Sequence, residues 1–235
     1  MEMEIKSNDI AYDRWHDQYA SDEDTDSVWH RFIKKQINRD NPGGMLLLEI
    51  GCGRGGLSAY IAGLPQPPEK IYACDYSAQA LEIAKKRFPH HKNIFWQKED
   101  IQALSFADNT FDRIISCETI EHVPQPQKAL HELYRVLKPG GILYLTCPNY
   151  FNFFGLWCIY RKAIGKPYTE GQPYVNYLLL PNLLRRIKRS KFKIISYYTS
   201  HLVLPLRAHY LFFEDKTPPL LRWLGFRTYF TLKKE

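Results

Sequence analysis

The sequence predicts an α/β fold, a doubly wound and mostly parallel sheet with helices on both faces. Three observations carry that prediction. Short apolar runs alternate with helix-patterned segments, a glycine cluster follows the first run, and an acidic residue (Glu49, Asp75, Asp100) closes each of the first three. Strands alternating with helices at this spacing are joined by right-handed crossovers, and ligands of such sheets bind where the loops gather at the carboxyl ends of the strands.

The elements follow in order. MLLLEI (45 to 50) is a continuous apolar run ending in glycines, as a buried parallel strand requires. A helix is expected from Gly56 to Ala62, closed by Gly63 and the loop LPQPPEK. KIYACD (70 to 75) is the second strand, and Ser77 caps a helix, AQALEIAKKRF, whose last turn is basic. NIFWQKED (93 to 100) and FDRIISCE (111 to 118) are the third and fourth strands. QKALHELYRVL (127 to 137) is a helix ended by Lys138-Pro139-Gly140-Gly141, and GILYLTCP (141 to 148) is the fifth strand. PNLLRRIKR opens with Pro181 at a position suited to the first turn of a helix.

Composition narrows the function classes. The chain has 235 residues, 45% hydrophobic and 24% charged, as in ordinary globular proteins, and no internal repeat. Five cysteines without CxxC spacing imply a reducing compartment, and the acidic opening MEMEIKSNDI does not read as a secretion signal, so a cytoplasmic location is expected. One uncharged run, Ile142 to Tyr160, has the length of a membrane span, but Pro148, Asn149 and Asn152 interrupt it and its first part reads as a strand. Charge is unevenly spread: residues 1–149 carry 17 Lys and Arg against 21 Asp and Glu, whereas residues 150–235 carry 15 against 4. A solvated basic face accounts for this excess, as does contact with an anionic membrane surface or nucleic acid, the last ranked lower because no RNA-binding signature accompanies it.

Glu49-Ile50-Gly51-Cys52-Gly53-Arg54-Gly55-Gly56 marks the ligand end. Glycines let the backbone turn sharply and approach a ligand, and the helix that follows offers free amide donors. Gly51, Gly53 and Gly56 also satisfy a dinucleotide pattern, but Glu49 would repel a pyrophosphate and suits a cationic ammonium. Asp75 is placed to accept both hydroxyls of a ribose, and Asp100 with Ile101 to read the edge of an adenine.

From about Leu46 to Asn149 the chain resembles the class I S-adenosylmethionine-dependent methyltransferases, in the UbiE-like and UbiG-like group. LLEIGCGRGG, ACDYS, EDIQALSFADNTFDRIISCETIEHV and ELYRVLKPGGILYLTCPN match its successive blocks in order. The resemblance implies a Rossmann-like sheet of seven strands with the last inserted antiparallel, FKIISYYTS (192 to 200) and FRTYFTLKKE (226 to 235) being the final two. It implies that Glu49, Gly51, Cys52 and Gly53 line the methionine end of the cofactor, with Cys117 also in contact. Asp75 and Tyr76 fall on the ribose side, and Asp100 and Ile101 at the adenine.

The sulfonium of that cofactor already activates the methyl group, so the protein mainly positions an acceptor and removes its proton. SCETIEHV (116 to 123) belongs to this step. On one helical turn Glu118, Glu121 and His122 would share a face at i, i+3 and i+4. Three readings follow. In UbiG-like catechol O-methyltransferases and small-RNA 2′-O-methyltransferases an ExxEH block binds a divalent ion, which makes Glu118, Glu121 and His122 ligands for Mg²⁺ or Mn²⁺. Without metal, His122 is a general base, with Glu121 beside it. In the third, Glu121 caps backbone amides in a structural corner. The metal is preferred here because Glu118 adds a third convergent ligand.

One methyltransferase domain is therefore expected: an N-terminal helical cap (1–44), a cofactor-binding core (45–149), an acceptor or lid insertion (150–191), and the last strands with a basic C-terminal part (192–235). The activity expected is O-methylation of a small or lipid-like acceptor, with YFNFFGLWCIY (150 to 160) either an aromatic lid that contacts a membrane surface peripherally or simply a cover of the sheet edge. The alternatives are 2′-O-methylation of RNA ends and a non-catalytic S-adenosylmethionine-binding partner subunit. The acceptor and the oligomeric state are not encoded in any motif.

Overall fold

The computed structural model describes residues 10–16, 27–168, 172–206, 209–213 and 217–235, with side chains left aside at 203–216. Of the expected N-terminal cap, residues 1–9 and 17–26 lie outside the described residues. Chain order is α1 (10–16), α2 (Val28–Asp40), β1 (Leu46–Ile50), α3 (Gly56–Ala62), β2 (Lys70–Asp75), α4 (Ala78–Arg87), β3 (Ile94–Lys98) and β4 (Phe111–Cys117). Then follow α5 (Pro126–Val136), β5 (Leu137–Pro148), α6 (Phe153–Ala163), α7 (Leu180–Arg189), β6 (Lys193–Ser200), the hairpin β7 (Leu202–Leu206) and β8 (His209–Phe213), and β9 (Arg227–Lys233).

Seven strands form one sheet in the order β3-β2-β1-β4-β5-β9-β6. β1 pairs parallel with β2 and β4, and β9 enters antiparallel between β5 and β6, as the resemblance implied. Alternate residues of each strand face opposite layers. Leu48, Ile114, Leu143 and Phe230 pack with α5 and α7 on one face, while Leu47, Ile115, Tyr144 and Tyr229 pack with α2 and α3 on the other. Burying a Leu or Ile fully, as at these central strands, contributes about 1.5–3 kcal/mol relative to exposure. That burial on both faces is why the strands read as continuous apolar runs.

Two local expectations change. Lys138-Pro139-Gly140-Gly141 is not a separate turn but part of β5, which starts at Leu137 opposite Phe111 and shifts register before Arg113 pairs with Ile142. Gly140 takes φ 80° there, and its N–H bonds Lys234 O at 2.8 Å, so the backbone stays satisfied. The β7–β8 hairpin was not foreseen. The uncharged run from Ile142 is divided between β5 and α6, and among the described residues no helix is long and apolar enough to cross a membrane.

Where β5 ends, Asn149 joins the parts of the C-terminal half. It is 1% exposed. Its amide nitrogen donates to Trp223 O (2.8 Å) and Gly225 O (2.9 Å), and its oxygen accepts from Phe151 N–H and Leu180 N–H (both 2.9 Å). The starts of α6 and α7 and the turn before β9 thus meet on one side chain. Truncation would strand four backbone groups at once, so Asn149→Ala is expected to lower the unfolding free energy by about 2–4 kcal/mol in urea titrations. A loss within experimental error would remove this residue's joining role.

Candidate active site

The pocket is built from the strand ends upward. After β1 the chain turns back through Gly51 (φ 80°), and Gly51 N–H and Cys52 N–H both donate to Cys74 O of β2, at 2.8 and 3.0 Å. A Cβ on Gly51 would overlap the Thr119 side chain, and one on Gly55 (φ 82°) would overlap the Trp96 ring. Only glycine fits these two positions, on conformation and on space. Gly53 N–H donates to Asp75 Oδ2 at 2.8 Å and Ser77 N–H to Asp75 Oδ1 at 2.9 Å, so one carboxylate ties the glycine turn to the start of α4.

These turns enclose one side of a cavity of about 650 Å³. Glu49, Gly51, Cys52, Gly53, Asp75, Tyr76, Asp100, Ile101 and Cys117 all line it, as do Glu118 and His122. Glu49 is 3% exposed and accepts a hydrogen bond from Ser58 Oγ of α3. Asp100 accepts Gln102 N–H at 2.8 Å, which fixes the loop after β3. Burial pushes the Cys117 thiol well above its usual range, and Thr146 Oγ1 donates to its sulfur at 3.3 Å, so this cysteine is a neutral wall.

The remaining wall comes from residues that the sequence reading did not single out. Tyr12, Trp15 and His16 line the cavity from α1, and Ser27, Trp29 and His30 from the start of α2. α1 is fastened to the cofactor corner: Ser77 Oγ donates to Asp13 Oδ1 at 2.5 Å, Gln79 N–H to the same oxygen at 3.2 Å, and Arg54 of the glycine turn to His16 O. Tyr12, Trp15 and His16 stand at i, i+3 and i+4, a spacing that marks one helix face and was available in the sequence. Burial, followed by the charges of Glu121 and Asp75, pushes the Tyr12 phenol above its usual range and keeps it protonated.

SCETIEHV does not form the expected single turn. Glu118 sits at φ 50°, in the left-handed region, and only Ile120–His122 are helical, as a 3-10 turn. The i, i+3, i+4 geometry therefore breaks at its first member. Glu118 instead makes an ion pair with Arg227 of β9, whose guanidinium lies over the Trp29 ring, 4.5 Å from its centroid. Glu121 is 2% exposed and stands outside the cavity lining. Its carbonyl oxygen accepts Asn176 N–H at 2.6 Å, so the clamp at this corner runs through the main chain. Among the described residues no three His, Cys, Asp or Glu side chains are grouped so as to hold a metal ion. Glu118, Glu121 and His122 do not fit as the ligand set for Mg²⁺ or Mn²⁺, because a salt bridge from a distant strand takes the first and burial behind the wall takes the second.

His122 lines the cavity and has its ring fixed by a main-chain oxygen. Its Nδ1 lies 2.8 Å from Tyr174 O, an oxygen that can only accept, so Nδ1 carries the hydrogen and Nε2 of the neutral ring is the acceptor. Glu121 Oε1 is 3.7 Å from Nε2. Tyr12 Oη lies 3.4 Å from both His122 O and Tyr174 O, joining α1 to this corner.

Comparison with known proteins agrees with this architecture. Residues 48–145 match the methyltransferase domain family. The chain is 36% identical over 116 residues to the ubiquinone/menaquinone biosynthesis C-methyltransferase UbiE of Desulfotalea psychrophila, covering 49% of this chain and 46% of that protein. It is 34% identical over 183 residues to the demethylmenaquinone methyltransferase of Symbiobacterium thermophilum, covering 68% of this chain and 72% of the relative. A chain from the complex between the Haloferax volcanii Trm112 methyltransferase activator and a methyltransferase has the same fold, with a TM-score of 0.68 over 97% of this chain and 96% of that one, at 15% identity. With the glycine turn and the acidic strand ends arranged around one cavity, these matches establish that the chain belongs to the class I S-adenosylmethionine-dependent methyltransferases, in the type 11 group.

Proposed function

We propose that the chain methylates a hydroxylated, apolar acceptor, with His122 as the general base. The observation that carries this reading is the His122 ring in the cavity wall, its Nδ1–H fixed on Tyr174 O. The cofactor supplies a methyl group on a sulfonium, which moves by in-line displacement while the electrons of the broken bond stay on sulfur.

The residues present fit that cofactor. Glu49 and Asp75 both line the cavity, the first a carboxylate suited to a cationic ammonium, the second an acceptor suited to ribose hydroxyls. Trp15 adds an indole ring to the cavity wall. On the acceptor side Glu118 lines the cavity and is held in place by Arg227. His122 Nε2 takes the hydroxyl proton, beside the Glu121 carboxylate.

Removing that proton spreads negative charge over the oxygen and, in a hydroxylated ring, over the ortho and para carbons. Oxygen was the atom expected from the sequence. The relatives named for C-methylation and for demethylmenaquinone favour the ring carbon. Base placement is common to both outcomes, and product analysis separates them.

Two outcomes test the reading. Asp75→Ala is expected to weaken S-adenosylmethionine binding by about 1.5–3 kcal/mol in calorimetry, the range for hydrogen bonds to a charged group; unchanged affinity would remove the ribose assignment. His122→Gln is expected to lower kcat by about 10² to 10⁴ with cofactor affinity retained. Turnover with a short-chain demethylmenaquinone, read by mass spectrometry and NMR of the product, should survive EDTA. Activity lost to EDTA and restored by Mg²⁺ would overturn the metal-free base.

A further inference from the structure

We propose that α6 is a docking surface for an anionic lipid bilayer, an inference that stands independently of the acceptor. Of the eleven residues of α6 only Gly155 and Cys158 are buried. Phe153 is 55% exposed, Leu156 62% and Tyr160 61%, with Trp157 and Ile159 near 40%. A soluble helix places its apolar side chains against a core, and this one turns them outward.

The exposure is built in. Asn152 caps the helix by accepting Gly155 N–H at 2.8 Å and donates to Asn149 O at 2.7 Å. A Cβ on Gly155 would overlap the Tyr150 backbone, so the helix lies hard against the end of β5 with its glycine side inward. The outward rings form a continuous surface, Phe154 stacked on Trp157 at 5.6 Å between centroids and Tyr168 edge-on to both.

Charge identifies the occupant. Arg161 lies over the Trp157 ring and Lys162 over Tyr177, Lys166 is exposed just beyond the helix, and the sequence holds no Asp or Glu from 133 to 169. Aromatic and aliphatic side chains on a helix whose own charged residues, Arg161 and Lys162, are cations match the interface of a bilayer with anionic headgroups. A symmetric pairing of two copies through this face would instead bring the same cations together.

The test uses the full chain with sucrose-loaded vesicles of phosphatidylcholine, with or without phosphatidylglycerol. Binding is expected only to the anionic vesicles and should weaken as added salt shortens the Debye length from about 8 Å towards 3 Å. L156Q/W157Q/Y160Q should reduce binding at least about tenfold. R161Q/K162Q/K166Q should reduce it about fivefold per cation removed. S-adenosylmethionine affinity should stay unchanged in both variants, and F153S serves as a milder probe of the same face. Equal binding to neutral vesicles, or binding unaltered by the apolar substitutions, overturns the proposal. So does a wild-type dimer in sedimentation that these substitutions dissociate, with no vesicle binding at any stage.

Discussion

The cofactor corner depends on the Asp75 carboxylate. Its two oxygens accept Gly53 N–H and Ser77 N–H, joining the glycine turn after β1 to the helix that starts after β2. Hydrogen bonds to a charged acceptor contribute about 1.5–3 kcal/mol, roughly twice the neutral kind. Ser77 then caps α4 with its oxygen, accepting Ala80 N–H at 3.1 Å, while its hydroxyl donates to Asp13. One acidic side chain therefore fixes the turn, the helix cap and the seat of α1, and the cavity takes its shape from all three.

The acceptor side rests on a different constraint, the insertion of β9 between β5 and β6. That placement carries Arg227 to Glu118, 109 residues away in sequence, and sets its guanidinium over Trp29. A carboxylate that looked free to bind a metal becomes half of a desolvated ion pair. Breaking such a pair strands a charge away from water, which ties the shape of the acceptor wall to the last strand of the sheet. Asn149 makes a second long-range tie, because the starts of α6 and α7 and the turn before β9 all bond to its amide.

Division of labour follows from these ties. The core from β1 to β5 supplies the cofactor wall through strand ends, where local turns place the groups. The rest of the cavity wall comes from distant pieces: Trp29 from α2, Gln172 from the segment before α7, and His122, whose ring is oriented by the carbonyl of Tyr174. The orientation of the His122 ring is thus set by a main-chain atom that carries no side-chain signature.

The sequence by itself determined the sheet, because parallel strands buried on both faces must read as apolar runs such as LLLEI. It determined the cofactor wall as well: Gly51 and Gly55 occupy backbone conformations and spaces only glycine fits, and Asp75 sits at a strand end whose position follows from the strand. Those signals are local, each depending on a few consecutive residues. Tertiary structure alone decided what SCETIEHV is for. Helical spacing put Glu118 beside Glu121 and His122, but the left-handed residue and the Arg227 pair withdrew it, and both depend on a strand a hundred residues downstream. The same holds for Tyr12, Trp15 and Trp29, which enter the pocket only once α1 and α2 pack over it, and for α6, whose apolar face is legible as composition but whose outward direction is set by Gly155 against Tyr150.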